Sequence, residues 1–400
     1  MKHFFTFDPK LLFYGFAIIF FASYGQTFFI SIFNTEIRSL YNLTDGEFGL
    51  IYAIGTLFSS FCLIGFAKLI DYIDLRLYSF IIAVGLAIAC LGIYISYNSI
   101  IFLLIVIFAL RFFGQGAMSH AGETTMARYF DKNRGKALSV STLGGMIGVM
   151  VLPIVVVKLT FLVGWKHVWL ISSLSILIFF IPLLFLVLQN QSIRHSNFTK
   201  FNNNFSDKKR LSTKDILLDK KFYIYLPISI AFSFIGTGLT FHQIYIINQK
   251  AWSLDILAQG FIFLGIFSII GLILGGPIVD KYNTKKVALF TLAPLFVAIL
   301  ILIFFNNYYF IFLYMSLLGI GLGIGTPFIG SLWAELYGLE SLGTVKALIH
   351  ASSVFFSALS PVIFGYMIDF GLGIFSLCIM SLFIILISTF LPIIYKKVDE

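Results

Sequence analysis

The sequence predicts an all-α membrane protein whose twelve transmembrane helices form two six-helix bundles, related by a pseudo-two-fold axis along the membrane normal. Three observations predict this fold: the composition, the number of long apolar segments and an internal repeat. Hydrophobic residues make up 59% of the chain and charged residues 11%, whereas soluble domains have about 45–50% and about 25%. With a mean hydropathy of +0.99, most of the chain must have lipid as its solvent. This excludes a disordered chain, a secreted disulfide scaffold and a nucleic-acid-binding protein.

Twelve apolar segments are long enough to cross a bilayer, for which a helix needs about 20 residues. We number them spans 1 to 12, and they lie at residues 11–33, 48–70, 77–97, 100–127, 136–161, 166–189, 222–247, 257–279, 286–305, 308–335, 344–368 and 371–395. The one long polar connection is predicted to be a cytoplasmic linker loop at 190–221, between an N-terminal bundle at 1–189 and a C-terminal bundle at 222–400. Span 1 is too long for the apolar region of a signal peptide and is expected to remain in the protein.

The distribution of Lys and Arg predicts the orientation of the chain. The N-terminus, the loops after even-numbered spans and the C-terminus hold 22 of the 27 Lys and Arg residues, the opposite side holds four, and Arg111 lies within span 4. Because positively charged loops stay in the cytoplasm, both termini are predicted to be cytoplasmic, in a multi-pass protein of a bacterial inner membrane. The net charge of +9 is therefore largely a topology signal.

An internal repeat relates the two halves of the chain. Asp71 and Asp280, which follow spans 2 and 8, are 209 residues apart, and Pro153 and Pro361, inside spans 5 and 11, are 208 apart. A glycine pair at the start of spans 5 and 11 has the same offset of 208. Together with the six-plus-six span count, these offsets predict two copies of the same orientation, related by an axis along the membrane normal.

The loop after span 8 carries the most specific motif. It reads Gly276-x-x-x-Asp280-Lys281-x-Asn283-x-Lys285, which resembles the loop signature Gly-x-x-x-Asp-Arg/Lys-x-Gly-x-Arg/Lys of the major facilitator superfamily. Asn can replace the second glycine because Asn tolerates the left-handed backbone. A degraded copy follows span 2, and the glycines near the proline of span 5 resemble a second motif of the family. The resemblance covers essentially the whole chain and implies a monomeric secondary transporter that works by alternating access.

Three shorter segments are similar to the monocarboxylate and oxalate/formate branch of this superfamily. They are Ala-Arg-Tyr-Phe at 127–130, Arg-Gly-Lys-Ala at 134–137 and Trp-Ala-Glu-x-Tyr-Gly at 333–338. These segments bear on gating more than on substrate. A small organic anion, a monocarboxylate, is predicted as the substrate because span 4 carries an arginine at depth and no acidic residue lies near the midplane.

Arg111 is the strongest candidate for binding such an anion. It lies near the middle of span 4, where insertion of an Arg costs about 2.5–3.5 kcal/mol. Its guanidinium has five fixed donors and stays charged, which suits a carboxylate. Gln115 is on the same stripe of a helical wheel and is expected to assist. The alternative is that Arg111 caps carbonyls or pairs structurally within the N-terminal half.

Spans 1 and 7, which the repeat pairs, carry polar stripes that would face the pore if the resemblance holds. Tyr24 and Thr27 lie on the stripe of span 1, and His242 and Tyr245 on that of span 7, next to Gln243. We expect these five residues to contact the substrate. The alternative for His242 is an interfacial histidine whose hydrogen bonds are satisfied within the protein.

His120 and Glu123 in span 4 are candidates for proton coupling. Burial can raise the pKa of a carboxyl toward neutral pH, and an imidazole titrates there in any case. The alternative is that both are interfacial groups hydrogen-bonded near helix ends.

Five residues are predicted to take part in gating. A loop carboxylate is stabilised by the N–H groups and dipole of a helix N-terminus, and we expect Asp71 to lie near the start of span 11 and Asp280 near the start of span 5 when the cytoplasmic side is closed. The motif cations Lys281 and Lys285 lie in the same loop as Asp280. Pro327 removes a hydrogen bond inside the glycine-rich span 10, which favours a bend, although close packing explains these glycines equally well.

These patterns predict a transporter for a small organic anion, with a proton as a further candidate partner and the lipid bilayer as solvent. A carrier for a neutral or amphiphilic solute is the alternative, and a channel or a sensor is the alternative of a different class. No Walker motif or catalytic constellation is present, so neither a primary pump nor an enzyme is expected. No clustered Cys and His suggest a metal site, and no cofactor is expected.

Overall fold

The computed structural model describes residues 8–130, 133–189, 191, 211–282, 284–288, 290–338 and 341–399. Over these residues the regular structure is helical, and no strand occurs among them. Ten helices are long and apolar enough to cross a membrane, and a bent helix pair and one shorter apolar helix accompany them. Counting these two brings the described spans to twelve, and the predicted class, an all-α membrane protein, is confirmed.

The observed helices follow the predicted spans with shifted ends. Spans 1 to 12 are formed by Pro9–Gly25 with Thr27–Tyr41, Asp45–Asp71, Leu75–Ile95, Ile100–Tyr129, Arg134–Val163, Trp165–Val187, Lys220–Phe241 with Gln243–Gln249, Leu254–Tyr282, Ala293–Phe304, Phe310–Tyr337, Leu342–Asp369 and Ile374–Asp399. Residues 190 and 192–210 of the predicted linker loop lie outside the described residues. The described remainder of that loop contains a short helix, Thr213–Leu218, which opens with a capping box between Ser212 and Asp215.

Polar residues mark where several spans begin. The side chain of Asp8 accepts a hydrogen bond of 3.0 Å from the backbone N–H of Leu11 at the start of span 1. Asp74 and Ser99 do the same for spans 3 and 4. Such caps satisfy backbone donors that have no partner inside the helix, so each apolar segment can start at a defined residue.

Three spans differ from the continuous helices that were predicted. Span 7 is divided at His242, between the helices Lys220–Phe241 and Gln243–Gln249. Span 1 is broken between Gly25 and Thr27, and its two segments are inclined by 43°. Span 9 was predicted at 286–305, but its apolar helix covers only Ala293–Phe304. This helix begins beside Pro294, which lies in its first turn, a position that proline favours because the N–H it lacks would have no partner there.

Span 4 departs from α-helical geometry around its arginine. Residues Leu110–Met118 form a π-helical segment between the α-helical segments Ile100–Ala109 and Ser119–Tyr129. A π-helix has wider turns, with hydrogen bonds from i to i+5. The helical wheel that placed Arg111 and Gln115 on one stripe assumed α-helical turns, and a joint role for the two residues stays a prediction.

The chain divides into two compact units. The first comprises Met1–Asn42 and Ile54–Ser206, and the second comprises Leu43–Ala53 and Asp207–Glu400. Span 2 thus begins in the second unit and continues in the first. In the first unit, spans 1 and 4 approach so closely that a Cβ atom on Gly25 would lie 2.1 Å from the carbonyl oxygen of Leu110.

In the second unit, the glycines of span 10 serve close packing against span 8. A Cβ atom on Gly319 would lie 2.3 Å from the carbonyl oxygen of Leu264, and one on Gly323 would lie 2.3 Å from that of Ser268. These two glycines therefore let the helices meet backbone to backbone. Gly325, by contrast, has no atom within 4 Å of a Cβ position.

Candidate functional site

The first polar site forms at the break in span 1. Gln26 has an extended backbone (φ −83°, ψ 154°), and the amide of Phe29 donates to the carbonyl oxygen of Gln26 at 3.2 Å. In a continuous α-helix that amide would bond to the carbonyl of Gly25. The break therefore withdraws the usual helical donor from the carbonyl oxygen of Gly25.

Arg111 supplies the missing donor. Its Nη1 atom donates to the carbonyl oxygen of Gly25 at 2.9 Å and to Oγ1 of Thr27 at 3.5 Å, and its Nε atom donates to Oγ1 of Thr56 at 3.1 Å. The side chain is buried, with 2% of its surface exposed. These contacts hold the guanidinium in a fixed orientation within the first unit. They match the structural alternative for Arg111, and substrate binding by this residue stays a prediction.

The other substrate-binding candidates of the first unit differ in exposure. Tyr24 is buried, and its hydroxyl shares a hydrogen bond of 2.9 Å with Oγ of Ser175. Thr27 and Gln115 are half-buried. Of the predicted residues, the structure joins Arg111 and Thr27 directly.

His120 and Glu123 differ in their surroundings. Both ring nitrogens of His120 lie 3.4 Å from Oγ1 of Thr124 one turn along the helix. Glu123 is exposed, and it has no hydrogen bond or ion pair with any other described residue. It lies six residues before the end of span 4 at Tyr129. An exposed carboxylate inside a span has to meet water or a cation, because lipid cannot solvate it.

The second polar site lies within the second unit, where span 7 meets the start of span 2. His242 is buried, its Nε2 atom is 2.9 Å from the carbonyl oxygen of Pro361, and its Nδ1 atom is 3.4 Å from Oδ1 of Asp45. The carboxylate of Asp369 accepts hydrogen bonds from the backbone N–H groups of Asp45 at 3.0 Å and Gly46 at 2.8 Å. Spans 2, 7 and 11 are therefore joined by one polar cluster.

Gln243 and Tyr245, the other candidates of span 7, lie beside this cluster. Gln243 is buried and Tyr245 half-buried. Gln243 also lines a narrow, mostly apolar cleft in the second unit, together with Trp252 and Tyr314. The cleft has room for about 20 Å³, which is enough for a single water molecule and too little for an organic substrate.

The predicted gating residues differ in the contacts that they make. Arg128 donates from Nη2 to the carboxylate of Asp71 and from Nη1 to the carbonyl oxygen of Ile70 at 3.3 Å. Asp280 is exposed and has no hydrogen bond or ion pair with other described residues. The ammonium of Lys281 lies 5.1 Å from the ring centroid of Tyr282. The gating contacts proposed for Asp71 and Asp280 stay predictions.

The two remaining gating candidates are Lys285 and Pro327. The side chain of Lys285 lies outside the described residues. Pro327 lies inside the continuous helix of span 10, and its ring faces Gly275 of span 8, where an added Cβ atom would come within 2.7 Å of it. Its packing role is thus visible, and its gating role stays a prediction.

The segment Trp-Ala-Glu at 333–335 contributes to the interior of the second unit. The indole nitrogen of Trp333 donates to Oγ of Ser229 at 2.9 Å, and the indole is fully buried. The carboxylate of Glu335 accepts a hydrogen bond from the hydroxyl of Thr284. These side chains join spans 7 and 10 and the loop before span 9, a role independent of substrate identity.

Three residues of these sites were not predicted. Thr56 could have been found as a hydroxyl in an otherwise apolar stretch of span 2. Asp45 lies at the start of span 2, where a carboxylate is favoured by the helix dipole, and Asp369 lies at the end of span 11, where the dipole does not favour one. Only the fold brings these two residues together. Among the described residues, no group of three His, Cys, Asp or Glu is placed to hold a metal ion.

Comparisons with known proteins agree with this architecture. A bacterial homologue of the human lysosomal transporter Spinster, in an inward-facing and unoccupied conformation, superimposes with a TM-score of 0.67 at 16% identity, covering 96% of this chain and 94% of that one. A mutant form of the nucleoside transporter NupG superimposes with a TM-score of 0.71 at 11% identity, covering 98% and 100%. At these identities the likeness concerns the fold alone. No curated protein sequence matches the chain.

The family comparison covers nearly the whole chain. The model of the Major Facilitator Superfamily matches residues 15–275 and 243–400. The chain is thus a secondary transporter by family, which agrees with its twelve spans. It belongs to the major facilitator superfamily.

Proposed function

We propose that this transporter moves a small organic anion, a monocarboxylate, by alternating access. The observation that carries this proposal is the fixed guanidinium of Arg111 beside the break in span 1. The carbonyl of Gly25 and the hydroxyls of Thr27 and Thr56 orient it. A charge held in a preset orientation at membrane depth favours a carboxylate, because little ordering is left to be done on binding.

The positions of the acidic residues support an anion over a cation. In spans 1 to 6 the described Asp and Glu side chains lie at or near helix ends. The two that lie furthest in are Glu36, five residues before the end of span 1, and Glu123, six before the end of span 4. A carrier for organic cations would be expected to place a carboxylate at the depth of Arg111.

Glu123 is the proposed proton carrier of this transporter. It is exposed and has no hydrogen bond or ion pair with other described residues, so its carboxyl can exchange a proton with water. A proton moving with a monocarboxylate would leave the transported pair without net charge, which lowers the cost of crossing a low-dielectric region.

A neutral or amphiphilic solute is the second candidate substrate. It is favoured by the contacts that Arg111 makes with acceptors of its own unit. If those contacts persist throughout the transport cycle, Arg111 stabilises the break in span 1 and other residues recognise the substrate.

Ligand-dependent thermal stability separates the two candidates. The detergent-purified protein would be heated with small carboxylates, sugars, amino acids and cationic drugs, as wild type and as Arg111→Lys, Arg111→Gln and Thr56→Val. At about 100-fold over Kd a true ligand stabilises the fold by about 2.7 kcal/mol. We expect carboxylates alone to stabilise the wild type and Thr56→Val, with a smaller effect on Arg111→Lys and none on a folded Arg111→Gln. Stabilisation of all four proteins by a neutral compound would instead support the second candidate.

We propose that the protein lies in a bacterial inner membrane with both termini on the cytoplasmic side. This orientation is supported by the Lys and Arg distribution. A cysteine at position 214 should react with an impermeant reagent only after the membrane has been opened, and one at position 306 should react in intact cells. The reverse pattern would overturn this orientation.

A further inference from the structure

The start of span 2 is fastened to the second unit by its backbone. We call residues 43–53 the docking segment, since they belong to the second unit while the rest of span 2 belongs to the first. The carboxylate of Asp369 accepts from the first two helical N–H groups, those of Asp45 and Gly46. A carboxylate at a helix N-terminus is favoured by these donors and by the helix dipole.

The docking segment is also packed closely. A Cβ atom on Gly49 would lie 2.5 Å from the carbonyl oxygen of Pro361, so the two backbones nearly touch. The rings of Phe48 and Tyr52 lie 5.2 and 4.6 Å from that of Phe241 between centroids. Glycine and aromatic contacts of this kind require a defined register, so the segment is either docked in this way or released.

The hydrogen bond of His242 fixes where its protons must be. A carbonyl oxygen only accepts, so Nε2 has to be the donor in the 2.9 Å contact with Pro361. In a neutral imidazole with the proton on Nε2, Nδ1 has a lone pair, and this atom faces Oδ1 of Asp45 at 3.4 Å. Two acceptors would then face each other in a buried site, which is unfavourable.

One additional proton removes this conflict. If the proton is on Nδ1, an imidazolium faces a carboxylate, and if it is on Asp45, a carboxylic acid donates toward a neutral imidazole. Either way the pair holds one proton in addition to that on Nε2, and the two groups share it. It comes from solvent and returns there, because the side chain of Asp45 keeps 10% of its surface exposed while that of His242 has none.

We propose that His242 and Asp45 form a proton-binding site that holds the docking segment on spans 7 and 11 while the proton is bound and lets it go when the proton is lost. This site is separate from Glu123 and does not depend on the identity of the substrate.

The other titratable and charged groups near His242 and Asp45 are consistent with a proton shared by these two residues. Asp369 faces it from span 11, and its two carboxylate oxygens accept from backbone N–H groups. The ring of Tyr366, also from span 11, lies against the backbone of Gly46. Tyr245 of span 7 is within electrostatic range of Asp45. Glu47 on the same turn is exposed, and its carboxylate accepts from the backbone N–H of Thr44 at 2.9 Å.

The test is hydrogen exchange of the docking segment in the full-length protein in lipid nanodiscs, followed by mass spectrometry between about pH 5 and 9. His242→Gln keeps an N–H donor for Pro361 but cannot bind the proton, and its peptide 43–53 is identical to that of the wild type. The ratio of the two exchange rates therefore cancels the intrinsic effect of pH on exchange. For one proton, the docking equilibrium changes by at most about tenfold per pH unit.

We expect this ratio to change with pH, with the wild-type segment losing protection as pH rises. Asp45→Asn should stay protected at all pH values, because its amide donates to Nδ1 without a bound proton. Asp369→Asn should exchange faster at every pH but keep the pH response, and the exposed carboxylate variant Asp255→Asn should behave as wild type.

Three results would overturn the proposal. The first is a constant ratio between the wild type and His242→Gln, and the second is an unchanged pH response in Asp45→Asn. The third is loss of the response in Asp369→Asn, which would assign the proton to that carboxylate. Because exchange is read without substrate, none of these results bears on the proposed anion transport.

Discussion

Arg111 donates a hydrogen bond of 2.9 Å from Nη1 to the carbonyl oxygen of Gly25, the last residue before the break in span 1. The guanidinium thus replaces the amide that a continuous helix would have provided. The break and the arginine depend on each other, since without the arginine a buried carbonyl would lack this charged donor.

This relationship predicts a graded loss of stability. Arg111→Met should lower the free energy of unfolding by about 1.5–3 kcal/mol, the range for a hydrogen bond to a charged group. Thr56→Val should cost less, because it removes one acceptor and leaves the bond to Gly25 in place. Thermal unfolding of both variants in one detergent measures the difference. Equal stability of Arg111→Met and wild type would show that the carbonyl does not need the arginine.

The close contact of spans 1 and 4 predicts a strong effect at Gly25. Gly25→Ala would place a Cβ atom 2.1 Å from the carbonyl oxygen of Leu110, and such overpacking typically costs about 1–3 kcal/mol. Gly325→Ala is the matched control, because no atom lies within 4 Å of its Cβ position. The control should be neutral or stabilised by up to about 1 kcal/mol. Similar melting temperatures for the two variants would contradict the packing described here.

The two loop carboxylates should respond differently to neutralisation. Asp280 has no hydrogen bond or ion pair with other described residues, so Asp280→Asn should change the transport rate while expression and melting temperature stay near those of the wild type. Asp71 is paired with Arg128 near the surface, so Asp71→Asn should also lose up to about 1 kcal/mol of stability. Rates in proteoliposomes and melting curves measure both effects. Wild-type kinetics in Asp280→Asn would remove Asp280 from gating.

The exposed carboxylate of span 4 predicts a loss of proton coupling. Glu123→Gln should abolish substrate accumulation driven by a pH gradient while substrate exchange at equal pH continues, because the amide cannot carry a proton. Glu36→Gln, a carboxylate variant in span 1, is the control and should accumulate substrate normally. Uptake into proteoliposomes with and without the gradient distinguishes the two variants. Gradient-driven accumulation by Glu123→Gln would exclude this residue as the proton carrier.

The fold could be predicted from the sequence because lipid imposes a simple constraint. Each span has to satisfy its own backbone and present an apolar surface, so hydropathy alone located the spans. The same signal carries no information about breaks within an apolar run. The break at Gly25 and Gln26 was therefore not predicted, and span 9 was predicted to include the turn before Pro294.

The polar sites were less predictable because they depend on local geometry and on distant pairing. Arg111 was singled out by its depth in span 4, but its partners come from spans 1 and 2 and could not be identified from span 4 alone. Asp45 and Asp369 are 324 residues apart, and no sequence pattern pairs them. His242 was selected as a polar residue in a span, and its contact with Asp45 depends on where span 2 begins.

Counterflow in proteoliposomes measures whether this protein transports an organic anion and whether that transport depends on Arg111. Vesicles containing the wild type would be loaded with an unlabelled monocarboxylate and diluted into a trace of the labelled compound, beside folded Arg111→Gln and a parallel set with a neutral sugar. We expect transient accumulation of the labelled carboxylate by the wild type, none by Arg111→Gln, and no counterflow of the sugar. Equal carboxylate counterflow by the wild type and Arg111→Gln, or counterflow of the neutral solute alone, would contradict this expectation.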